Sequence, residues 1–103
     1  MFRRRRFADL IERQLDLFEQ EDADFLARVD EAERAYDRAD REGAEEAFGR
    51  FQELVEFGSE TLAEMRDTYA STLDEDAAGD YVAAFNDLVH RRLPRFALEI
   101  DEL

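Results

Sequence analysis

Apolar residues recur at Phe7, Ile11, Phe18, Phe25, Val29, Ala32, Tyr36 and Ala39. Steps of three, four and seven keep one narrow face of an α-helix. No Pro or Gly lies between Met1 and Glu42. The spacing therefore predicts a first helix over about 7–41, roughly 50 Å long if unbroken at 1.5 Å per residue. Gln14, Glu21 and Asp22 also fall on the apolar face. The segment 20–24 is the one place to break, with Asp22 or Asp24 as N-cap. The apolar phase matches on both sides of it, which predicts continuity. The opposite face carries Glu12, Asp16, Glu19, Asp30, Glu33 and Asp37 among arginines and reads as solvated.

Near Gly43 the stripe shifts by about a quarter turn, and Gly43 suits the C′ position of a helix that ends there. A second helix is predicted over about 44–72. Its seam is Ala44, Ala47, Phe48, Phe51, Leu54, Val55, Gly58, Leu62, Met65 and Tyr69, with no charge in it. Gly58 on that face would let a neighbouring helix or a Phe ring approach closely. Glu53, Glu56, Glu60, Glu64 and Asp67 form an acidic ridge opposite, and Phe57 departs from the seam. Asp74 is a good N-cap, and Thr72 and Glu75 have capping-box spacing. A third helix over about 75–92 carries Ala78, Tyr81, Val82, Phe85, Leu88 and Val89 on one face. Pro94 cannot sit in an undisturbed helix interior, so the chain stops or kinks near Leu93. A short helix over about 94–102 follows, with Phe96, Ile100 and Leu103 inward.

The expected fold is all-α: one domain over 1–103, an antiparallel up-down-up three-helix bundle with long helices and a short kinked C-terminal helix after Pro94. In that arrangement Arg3, Arg4, Arg5 and Arg6 approach Asp74, Glu75, Asp76 and Asp80.

Charge changes the picture more than size does. The 103 residues carry a net charge of −14, every basic residue is Arg, and 45% of residues are apolar, nine of them Phe. The aromatic content separates the chain from disordered acidic tails. The acidity repels nucleic acid and favours solubility. It is equally the composition of a salt-adapted source, an association and not a mechanism. There is no Cys, hence no disulfide or thiolate site. No apolar run nears 18 residues, so no membrane span is expected, and the basic start lacks a secretory apolar region. The expected location is cytoplasmic.

Candidate chemistry is sparse. Glu21 and Asp22 on the seam, and the Asp87/His90 pair on the third helix, are the weak metal-ligand candidates. A ferritin-like centre needs Glu and Glu-x-x-His ligands converging from several helices, and this chain has one His. Gln14, Glu21 and Asp22 are expected to mark a place where the seam widens or faces water, or to specify register or pairing. Ser59 and Ser71 lie near no glycine elbow, and there is no phosphate-binding glycine motif. No cofactor is expected. Arg91, Arg92 and Arg95 form a second basic cluster, expected to complement a helix end and to face the turn between helices one and two. The Arg3, Arg4, Arg5 and Arg6 head, Phe57 and Leu98 are the candidate interaction residues. The leading expectation is a non-enzymatic acidic interaction protein that self-associates through an apolar helix face. The alternatives are an acidic nucleic-acid mimic that inhibits a basic protein, and a carboxylate metal-binding protein.

Overall fold

One apolar frame links Phe7 to Ala32, yet the helix built on it is not continuous. In the computed structural model, which describes residues 6–103, α1 spans Ala8–Glu21 and α2 spans Ala23–Arg38. Asp22 leaves helical geometry at φ −107°, ψ 25° and uses no side-chain cap. Its N–H still bonds Phe18 O at 2.9 Å, and its carbonyl accepts from Leu26 N at 2.9 Å. The expected unbroken first helix is thus corrected to two helices with a one-residue kink. A kink that keeps the i→i−4 bonds also keeps the hydrophobic phase, so periodicity could not reveal it.

α2 ends earlier than the apolar pattern implies, because Ala39 turns extended at φ −66°, ψ 141°. Asp40 Oδ1 accepts from Gly43 N–H at 2.8 Å and closes the turn. Gly43 stays in the right-handed region at φ −91°, ψ −9°, so it is not the left-handed C′ residue expected there; the Asp side chain shapes the turn instead. α3 spans Ala44–Ala70, 27 residues and about 40 Å, with Glu45 and Glu46 at its positive N-terminal end. Thr72 Oγ1 donates to Tyr69 O, and Asp74 alone caps α4 (Glu75–Arg92) by accepting from Ala77 N–H at 2.9 Å. Pro94 opens a 3-10 turn, Pro94–Phe96, and α5 (Ala97–Glu102) completes the chain.

Among the described residues every regular element is helical. α1 packs on α4 and meets α2 at the kink; α3 packs on α2, α4 and α5, and α5 also packs on α4. Ile11, Phe18, Leu62, Tyr81, Phe85 and Phe96 are sealed from solvent at the centre. Gly58 admits this packing. A Cβ there would lie 2.5 Å from Phe96 Cε1 and 3.0 Å from Phe25 Cε2.

Several seam residues depart from expectation. Phe48 is exposed, Phe51 half-buried and Leu103 exposed, while Leu15, off the expected stripe, is fully buried. The second-helix seam does hold a charge: Arg66 is buried, donating to Asn86 Oδ1 at 2.9 Å, to Ile100 O at 3.3 Å and to Asp67 Oδ1 at 2.8 Å. The Asn86 and Asp67 side chains and the Ile100 carbonyl supply the acceptors that a buried cation requires.

Candidate functional site

The hairpin of α2 and α3 has two flanks. On one, the C-terminal segment lies against it. Arg95 pairs with Asp30 and reaches Glu33 at 3.8 Å, Gln52 Nε2 donates to Glu99 Oε1 at 3.1 Å, and the Phe96 ring fills the notch at Gly58. On the other flank lies an open groove of ≈ 1040 Å³. Its floor is Phe25, Ala32, Ala35, Gly49 and Leu54, and its rim is Arg28 and Glu31 on α2 with Glu46, Arg50 and Glu53 on α3. Phe57 stands at its edge, 59% exposed, its ring 5.3 Å from that of buried Phe25. Further along, Tyr36 and Phe48 pair at 5.3 Å near the hairpin tip, both exposed. The local reason is spacing. Phe57 sits two positions past Val55 and one before Gly58, both buried, so it projects from the side of the seam.

A second, smaller groove of ≈ 550 Å³ runs beside the kink. Gln14, Glu21 and Asp22 border it together with Glu64 and Tyr69. The seam polar residues therefore separate into different roles. Gln14 Oε1 accepts from Tyr81 O–H at 2.8 Å, a structural pair at the edge of the core. Glu21 is exposed and Asp22 half-buried at the kink itself. Burial pushes the Tyr81 hydroxyl up to about 12.

The basic cluster lies elsewhere than expected. Arg92 does not face the 40–43 turn. It binds three carboxylates along α1: Glu12 at 2.7 Å, Asp16 at 2.9 Å and Glu19 at 2.5 Å. Burial works against its charge, but these three partners hold its pKa above the ordinary value. With Arg95 on Asp30 and Glu33, a face read as solvated from the sequence becomes the seat of the C-terminal segment. The i, i+4, i+7 spacing of Glu12, Asp16 and Glu19 was the available signal, and it identifies a row without identifying its partner. Arg91 is exposed.

The remaining candidates do not converge. His90 Nε2 lies 2.8 Å from Asp101 Oδ2, joining the end of α4 to α5, and Asp87 is half-buried one turn earlier. Among the described residues no three Asp, Glu, His or Cys side chains gather in metal-ligating range. Leu98 is 82% exposed but lines neither groove. Arg6 is exposed over the Phe7 ring, and Arg3, Arg4 and Arg5, like Phe2, lie outside the described residues. Both serine hydroxyls donate to carbonyls of α3, Ser59 to Val55 O at 2.8 Å and Ser71 to Thr68 O at 2.7 Å. No helix among the described residues is long and apolar enough to cross a membrane.

The chain matches no known protein-family model, no curated protein and no solved structure. The bare flank offers apolar floor, small residues and charged edges, which are the materials of a binding surface.

Proposed function

We propose that the protein is a non-enzymatic interaction module, one domain built as an up-down-up antiparallel three-helix arrangement, and that it works through the bare flank of the α2–α3 hairpin. Support for the topology comes from ring and side-chain pairs: Phe7 with Tyr81 and Glu19 with Arg92 along α1 and α4, Phe25 with Phe57 and Tyr36 with Phe48 along α2 and α3. The observation that carries the function is the exposed Phe57 over buried Phe25, beside a floor of Ala32, Ala35, Gly49 and Leu54. Leu17 and Leu98 are also exposed, but single exposed apolar residues are ordinary, whereas a contiguous apolar groove with a charged rim marks association. Burying a large side chain fully contributes about 1.5–3 kcal/mol, so a partner covering Phe57 and Leu54 gains a useful fraction of a binding energy. A cytoplasmic location remains part of this proposal.

The test is a photo-crosslinking phenylalanine analogue at position 57 of the full chain, activated in cells of the source organism. A discrete adduct is expected, and it disappears when Leu54→Asp is added. A chain that yields no adduct at 57, while an analogue at a buried position confirms incorporation, removes the proposal.

A second reading draws on the ridge of Glu53, Glu56, Glu60, Glu64 and Asp67, all exposed along α3. Such a row could occupy a basic protein in place of nucleic acid. Its charges recur about every 5 Å by helical rise, against one per 3.4 Å on each strand of a DNA duplex. The mimic is therefore sparse, and this reading is second. A failure to displace duplex DNA from a basic DNA-binding protein at physiological salt ends it.

A further inference from the structure

The edges of the groove carry a charge pattern that the apolar floor does not require. Phe25 lies level with Phe57, and Tyr36 with Phe48. Between those two levels Arg28 comes within a turn of Glu53 across the groove, and Glu31 within a turn of Arg50. The rim is thus a checkerboard: positive then negative along α2, negative then positive along α3. Among the described residues, Arg28, Arg50, Glu46 and Glu53 take part in no ion pair, and Glu31 bonds only within its own helix, to Arg34 at 3.1 Å and Arg38 at 3.5 Å. The chain as a whole has 28 acidic residues to 14 basic, yet this rim has three Glu to two Arg.

From this pattern we infer that the occupant of the groove is the same groove of a second copy, docked about a two-fold axis to make a four-helix bundle of two hairpins. The inference rests on the reading of the groove as the working surface. A checkerboard of this kind is self-complementary. A two-fold axis along the hairpin brings Arg28 of each copy to Glu53 of the other and Arg50 to Glu31. An in-plane axis across the hairpin brings Arg28 to Glu31 and Arg50 to Glu53. Either gives an isologous contact in which Arg28, Glu31, Arg50 and Glu53 each meet an opposite charge, with Glu46 left at the outer end of the rim. A uniformly basic partner would meet like charge at two of the five rim positions and a uniformly acidic one at three. The floor agrees with a helix as the occupant: Ala32 and Ala35 are small, and nothing lies within 4 Å of a Cβ built on Gly49, which leaves room for close backbone approach. The remaining charge of the molecule opposes docking at low salt, so screening is expected to strengthen association even though it weakens the rim pairs.

The experiment uses two charge-swapped versions of the full chain. One carries Arg28→Glu with Arg50→Glu, the other Glu31→Arg with Glu53→Arg. All four positions are at or near the surface, and circular dichroism checks that both chains stay helical. Sedimentation velocity at about 100 μM, a concentration at which even a modest interface is populated, is expected to show the unmodified chain as a dimer. Each swapped chain alone should associate at least about tenfold more weakly because like charges face one another. Mixed one to one, the two should recover a dimer. An unmodified chain that stays monomeric at both low and high salt overturns the inference; so do swapped chains that dimerise as well as the original, or a mixture that stays monomeric. A crosslinked adduct at position 57 with a different protein, alongside a monomeric chain, leaves the groove as the working surface and removes only the second copy.

Discussion

The two flanks of the α2–α3 hairpin are made of similar residues and have opposite fates. Phe96, Arg95 and Glu99 close one, through the notch at Gly58 and the pairs to Asp30, Glu33 and Gln52. The other keeps Phe57 59% exposed beside Leu54, Ala35 and Gly49, with four rim charges outside any described ion pair. Both flanks have an apolar floor and charged edges. What separates them is whether this chain itself supplies the covering segment. A hairpin buries its own seam but leaves its flanks to other elements, and among the described residues only one flank is served from within.

The largest expected effect sharpens that contrast. Phe96→Ala, on the covered flank, removes a ring that is 1% exposed and packs edge-on to Phe18; it should cost about 3–5 kcal/mol in urea unfolding, whereas Phe57→Ala should cost under about 1 kcal/mol in the monomer. Equal losses would mean that the bare flank is as integrated as the other. The two glycines divide by sign. Gly58→Ala places a methyl against two buried rings and should destabilise by about 1–3 kcal/mol, more than the helix-propensity gain of roughly 1 kcal/mol. Gly49→Ala meets nothing within the chain and should raise the melting temperature of the monomer through that propensity gain alone.

Titration reads the sealed end of the molecule directly. The folded protein holds the Tyr81 proton to about 12, while the unfolded chain releases it near 10. The proton is bound more tightly in the fold, so this contribution is complete below pH 10 and is lost as pH rises towards 12. It amounts to about 3 kcal/mol over that window. Alkaline unfolding of Tyr81→Phe, compared with the original chain, should show a flatter slope. A salt-dependent effect belongs to the charged seat of the C-terminal segment. Arg92→Ala leaves Glu12, Asp16 and Glu19 facing one another and should cost about 1–2 kcal/mol at low salt, less at high salt, because the carboxylates are partly solvated. A loss that does not change with salt would assign Arg92 a packing role instead.

Much of the helical layout could be read from local chemistry. Asp74 caps because its short side chain accepts from the Ala77 N–H, and Pro94 ends α4 because it has no N–H to donate to the helical hydrogen-bond ladder. The kink at Asp22 stayed hidden because the hydrogen bonds on both sides persist. The burial of Arg66 is not legible in local spacing, because its acceptors, Asn86 and Ile100 O, lie 20 and 34 residues away. Phe57 could be singled out from its offset against the seam, whereas Phe48 could not be distinguished from core by spacing, since its exposure depends on how far the covering segment reaches.

The sequence by itself determined that the chain is helical, where most helices stop, which residues prefer burial and that its surface is acidic. Those properties follow from periodicity, caps and composition, all local in the chain. The tertiary structure alone decided which acidic face would become the seat of Arg92 and Arg95, and which flank of the hairpin would be covered. These outcomes depend on contacts 65 to 80 residues apart, between Arg95 and Asp30 and between Arg92 and Glu12, and a helical face does not specify its partner until the chain has packed.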